Sequence, residues 1–168
     1  MEASADDTFL YFGFGSNLLR ERIQLKNPTA VFVDVACLTN YKLCFGGTIG
    51  SRWHGGAASI MESEGDTVWG VVWRLKQSDL PSLDEQEGRG EVYDRLQVTV
   101  QSQEGVKYTC LTYQMIHYVE EKPSPQYLLV IRKGAEQNKL PEDYRKRLDS
   151  IPDNGYDGDV EILRALDI

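Results

Sequence analysis

Residues able to do acid–base chemistry cluster in one short segment. Ser82-Leu83-Asp84-Glu85-Gln86-Glu87-Gly88 carries three carboxylates just before a glycine. Read as a helix end, it puts Asp84 and Glu87 on one face, three residues apart, and turns Glu85 away. Acids there oppose the helix dipole, at a cost of a few tenths to about 1 kcal/mol each when partly exposed. The dipole and the neighbouring acids raise a carboxylate pKa, which suits a general base. The plainer alternative is a solvated acidic helix end.

A second segment has anion-binding chemistry. Phe9 to Ile23, FLYFGFGSNLLRERI, runs from an apolar strand through Gly13 and Gly15 into a helical pattern. Ser16 or Asn17 is expected to cap that helix. The first N–H groups of the helix would seat a carboxylate, a phosphate or a developing oxyanion. A dinucleotide fingerprint is excluded because position 18 is Leu, and a phosphate loop because no Gly-Lys-Ser/Thr follows. An ordinary strand-to-helix turn is the alternative. The chain has no Gly-x-Ser-x-Gly elbow, since Gly13-Phe14-Gly15-Ser16 is out of frame for it.

The elements that must position these segments read as α+β, with a mostly antiparallel sheet or barrel covered by helices. Thr8 to Phe14 is a strand. Val31 to Phe45 holds two apolar runs split at Thr39-Asn40, which predicts a hairpin or two neighbouring strands. Gly46 to Gly56 is glycine-rich and reads as a loop. Ala57 to Met61 and Val68 to Leu75 read as strands joined by a Gly65-Asp66 turn. Ser78 to Gly88 is a short helix with Pro81 in its first turn. Val92 to Val100 and Val106 to Ile116 alternate around Gln103-Glu104-Gly105 as a hairpin. After Pro123 the pattern is helical: one helix from Ser124 with Pro125 at its first position, one over PEDYRKRLDSI, and a short one over DVEILRALDI. Residues 8–168 form a single domain behind a flexible acidic N-terminus, Met1 to Asp7.

Bulk properties narrow the function. Net charge is −8 over 168 residues, which argues against nucleic-acid binding and against attraction to acidic membranes. No apolar run is long enough to span a bilayer, and Met1 to Asp7 lacks the regions of a signal peptide. Cys37, Cys44 and Cys110 form no CxxC pair and suit thiols in a reducing cytosol. The two histidines, His54 and His117, lie far apart and no HExxH or Cys/His cluster appears, so a structural or catalytic zinc is not expected. His54 reads as a structural loop residue.

In combination the segments resemble the gamma-glutamylcyclotransferase family. YFGFGSNL is similar to its YGSN substrate loop, and WHGG (Trp53 to Gly56), VWGVVW (Val68 to Trp73), SLDEQEG (Ser82 to Gly88) and PSPQY (Pro123 to Tyr127) follow in the family's order. The match runs from Phe9 to Leu148 and points to the branch acting on gamma-glutamyl-amino acids. The resemblance implies a small β-barrel with helices around it. It implies cofactor-free conversion of a gamma-glutamyl-amino acid to 5-oxoproline and a free amino acid, in the cytoplasm, by a homodimer. It puts the catalytic acid on Glu87, so Glu85 should face elsewhere. It puts substrate binding on Phe14, Gly15, Ser16 and Asn17, and on Tyr93, Tyr113 and Tyr127, whose hydroxyls would donate to a substrate carboxylate. Two departures stand out. Phe14 replaces the family's usual Tyr, which implies altered substrate fit with activity retained. The stretch from Glu87 to Tyr93 is one residue shorter than usual. Two other readings share this fold: a non-catalytic protein that binds a gamma-glutamyl ligand or a protein partner, and a cyclotransferase for glutathione or gamma-glutamylamines. A pure binder has no need of Glu87.

Overall fold

The computed structural model describes residues 7–47, 52–87 and 92–168, and of Glu87 the backbone alone. The expectation for the N-terminus, except Asp7, the middle of the glycine-rich loop and the Gly88 stop lie outside these residues. Five strands close into a barrel: β1 (Thr8–Gly13), β2 (Val31–Gly46), β3 (Ala57–Lys76), β4 (Tyr93–Ser102) and β5 (Lys107–Met115), in spatial order β1-β3-β2-β4-β5. The pairing is antiparallel except where β1 meets β5 at Tyr11 and Leu111. Helices α1 (Arg20–Lys26), α2 (Leu80–Glu87), α3 (Pro125–Gln137), α4 (Glu142–Asp149) and α5 (Glu161–Ala165) complete the chain. One apolar core joins barrel and helices, with Phe12, Ile23, Trp73, Leu83, Leu128 and Ile131 fully buried.

Several elements follow their local signals. Ser124 caps α3, its Oγ accepting from Tyr127 N–H at 3.1 Å, and Pro125 opens the helix where no donor is needed. Gly105 takes φ +87° in the β4–β5 turn.

Two expectations are corrected. The predicted breaks at Asn40 and at Gly65-Asp66 do not end strands. β2 and β3 run through as one long antiparallel pair, with a register shift between Thr39 and Tyr41. Asn40 at φ 63° and Gly65 at φ +85° sit opposite each other, and Gly65 N–H donates to Asn40 Oδ1 at 3.1 Å. The turn residues therefore form a bulge within a continuing ladder. Second, neither Ser16 nor Asn17 caps α1. A 3-10 turn, Ser16–Leu18, intervenes, and Leu19 is the N-cap, with no side-chain cap bond. The Asn17 side chain is drawn inward instead, to partners described below.

Gly134 explains how α3 reaches that turn. A Cβ on it would lie 2.6 Å from the Leu18 backbone. Only a residue without a side chain lets the helix pack so close, and Asn138 Nδ2 then donates to Leu18 O at 2.7 Å.

Candidate active site

A cavity of about 270 Å³ opens where the β1–α1 connection, the wall of β3 and β5, and the end of α2 converge. Phe14, Gly15, Ser16 and Asn17 line it, as do Tyr93, Tyr113 and Tyr127. Every substrate-binding position proposed from sequence is thus brought to one cavity. Phe14 is buried, its ring 6.4 Å from Phe12.

The glycine segment is tied down residue by residue. Trp73 Nε1 donates to Asn17 O at 2.8 Å, and Asn17 Nδ2 donates to Tyr11 Oη at 3.1 Å. Gly15 passes so close to the wall that a Cβ would lie 2.9 Å from Ala58 Cβ and 3.2 Å from Tyr127 Oη. The Ala58 peptide is held from both sides. Tyr93 Oη donates to its carbonyl at 2.6 Å, and its N–H donates to Tyr127 Oη at 2.9 Å. Trp53 packs on Tyr127 with ring centroids 4.7 Å apart.

The three tyrosines differ in what their hydroxyls do. The phenolic proton of Tyr93 is directed at Ala58 O, and that of Tyr113 at Asp84 Oδ1, 2.6 Å away. Tyr127 Oη accepts from Ala58 N–H.

The acidic helix end docks through its side chains. Gln86 Nε2 donates to Asn17 Oδ1 at 3.0 Å, while Gln86 Oε1 accepts from Asn27 Nδ2 at 3.0 Å. Asp84 pairs with Arg95, whose Nε donates to Oδ1 at 3.1 Å. This pair joins α2 to β4. Glu85 is exposed and contributes to the cavity wall, contrary to the expectation that it faces elsewhere. The last turn of α2 lies along the cavity margin, so residues on more than one helical face reach it. The side chain of Glu87 is outside the described atoms; its backbone ends α2 directly after Gln86.

Sequence reasoning missed four contributors. Gln86 was passed over between two acids. Arg22 reads as an exposed charge in a helical pattern but is 3% exposed, with its guanidinium 5.7 Å from the Trp53 ring centre. Arg95 gave no signal within its alternating strand, and Arg52 fell in a presumed loop. His54 is absent from the cavity lining; it is exposed and stacks on Tyr156 at 4.5 Å, in keeping with a structural loop residue.

The chain is a closed five-stranded barrel with a glycine turn facing an acidic helix end, and residues 67–148 match the AIG2-like family model. The chain is 53% identical over 158 residues to a Bos taurus gamma-glutamylcyclotransferase, covering 92% of this chain and 84% of that protein. It is 49% identical over 159 residues to the Homo sapiens protein of the same name, covering 92% and 85%. A solved structure of a gamma-glutamyl cyclotransferase superposes with a TM-score of 0.91 at 48% identity, over 95% of this chain and 98% of that one. The chain belongs to the gamma-glutamylcyclotransferase family of enzymes.

Proposed function

We propose that residues 8–168 act as a single cyclotransferase domain that converts a gamma-glutamyl-amino acid to 5-oxoproline and a free amino acid, with Glu87 as general base and then general acid. The observation that carries this reading is the Asn17–Gln86 bond, which ties the glycine turn to the acid-bearing helix across one cavity.

The substrate's own α-amine attacks its δ-carbonyl carbon. An α-amine is largely protonated near neutral pH and is no nucleophile until a base takes a proton. Glu87 accepts that proton. The new C–N bond closes a five-membered ring and places negative charge on the carbonyl oxygen. Backbone N–H groups around Gly15, Ser16 and Asn17 stabilise this charge. The bond to the departing amine then breaks as Glu87 returns that proton to its nitrogen, and the ring nitrogen gives up its second proton to the freed amine, which leaves as an ammonium. Nucleophile and electrophile share one molecule, so the protein's task is to hold the chain folded back on itself. Tyr93, Tyr113 and Tyr127 border the substrate in the cavity. Phe14 supplies apolar packing in place of a hydroxyl.

The proposal extends to a homodimer in a reducing cytosol, supported by the family resemblance and by three free thiols. Purified protein incubated with gamma-glutamyl-alanine should release 5-oxoproline. Glu87→Gln should lower kcat by about 10²–10⁴-fold, the usual worth of general acid–base catalysis, with the fold intact. Because Glu85 also reaches the cavity, Glu85→Gln is the necessary companion. Loss confined to Glu85→Gln would move the base to that residue, and no product from the parent protein would favour a binding role.

A further inference from the structure

Two guanidinium groups line the cavity at different depths. Arg22 is buried beneath Trp53, whereas Arg52 is exposed. No described ion pair involves Arg52. Its backbone is nonetheless well placed, because the next residue, Trp53, is buried against Tyr127. The side chain is therefore a cation on a pinned base at the cavity mouth.

Resting on the cyclotransferase reading, we propose that Arg52 is a specificity-determining residue that binds the α-carboxylate of the departing amino acid. Ring closure joins the α-amine to the δ-carbonyl, so the glutamyl half must lie within reach of the glycine turn and α2. The other half then projects toward the mouth. In a gamma-glutamyl-amino acid that half ends in a carboxylate; in a gamma-glutamylamine it does not. Guanidinium presents paired donors that match a carboxylate. The local charge matters more than usual here. The chain carries net charge −8 and Glu85 stands at the same margin, so an anionic substrate approaches against an adverse field unless a cation meets it.

The test compares gamma-glutamyl-alanine with gamma-glutamyl-alaninamide, which differs only in replacing that carboxylate by a neutral amide. Wild type, Arg52→Ala and Arg52→Lys are assayed for 5-oxoproline, and kcat and KM are obtained separately. Wild type should prefer the acid in kcat/KM. Arg52→Ala should narrow the acid-to-amide ratio by about ten-fold, through KM, as fits one charge-assisted contact at an exposed position. Arg52→Lys should fall between, and raised salt should narrow the wild-type ratio in the same direction. An unchanged ratio in Arg52→Ala, with wild type turning over both substrates, would overturn the assignment alone. The ratio is internal to each preparation, so partial misfolding of a variant cannot mimic the effect. Absence of turnover of either substrate by wild type would remove the cyclotransferase reading, and this assignment with it.

Discussion

The two sides of the cavity are held in different ways. On one side, the Ser16–Leu18 turn is locked between buried elements: Trp73 grips its backbone, Tyr11 its side chain, and α3 presses on it at Gly134. On the other side, the end of α2 lies at the margin, fixed by the carboxamide of Gln86 and the Asp84–Arg95 pair. In the proposed mechanism the turn receives developing charge, and the core holds it in place. The helix bearing the acids keeps a partly solvated edge. A donor array that stabilises charge gains most from rigidity. A base that must both accept and return a proton gains from a tunable setting.

Changes on the rigid side should have the largest effect. Gly15→Val forces a side chain into the gap to Ala58 and Tyr127. Overpacking of this kind costs about 1–3 kcal/mol, and a displacement of about 1 Å at a reacting centre costs about 10²-fold in rate. The expected result is near-complete loss of 5-oxoproline formation with a lowered Tm. Retained activity would show that the turn is not held against the wall during turnover.

Gln86→Ala tests the bridge between the two sides. It removes both carboxamide contacts and leaves the buried Asn17 Oδ1 without that donor, a penalty of about 1–3 kcal/mol. For a chain of this size that is a Tm fall of about 2–12 °C. Activity should fall about ten-fold, in kcat more than in KM, because positioning is lost and not substrate contact. A change in KM alone would mean that Gln86 contacts substrate directly.

The smallest effect near neutral pH concerns groups outside the cavity. Burial pushes the Cys110 thiol up to about 12 from 9.0, and burial with the nearby Cys44 and Glu120 pushes the Tyr118 phenol up to about 12 from 10.0. Both folded values lie above the unfolded ones. Their contribution to stability is therefore full below about pH 9 and is lost as pH rises toward about 12. Stability measured by urea titration should show no change from these groups between pH 7 and pH 8.5 and should then decline. Cys110→Val should reduce the slope of that decline. An unchanged slope would place the titrating group elsewhere.

Local grammar made much of the molecule legible. The capped α3, the β4–β5 hairpin and the α4 segment each carry their start and stop signals within a few residues. The glycine turn and the acid-bearing helix were identified by residue type and then by family pattern. What escaped notice depends on partners distant in sequence. Asn17 was read as a cap because caps are local, yet its side chain is claimed by Tyr11 and Gln86. Asn40 and Gly65 were read as breaks because each tolerates a left-handed backbone, and only their mutual pairing shows that the strands continue. Arg22 follows an ordinary helical charge pattern, and nothing near it in sequence announces Trp53 as its cover.

The Ala58 peptide has a consequence of its own. Its N–H is bonded to Tyr127 at one wall and its carbonyl to Tyr93 at another. Exchange of that amide hydrogen for deuterium requires Tyr127 to swing away, a movement of the cavity wall itself. Ala58 is thus a built-in clock for the breathing of the cavity, readable one amide at a time without touching a catalytic group.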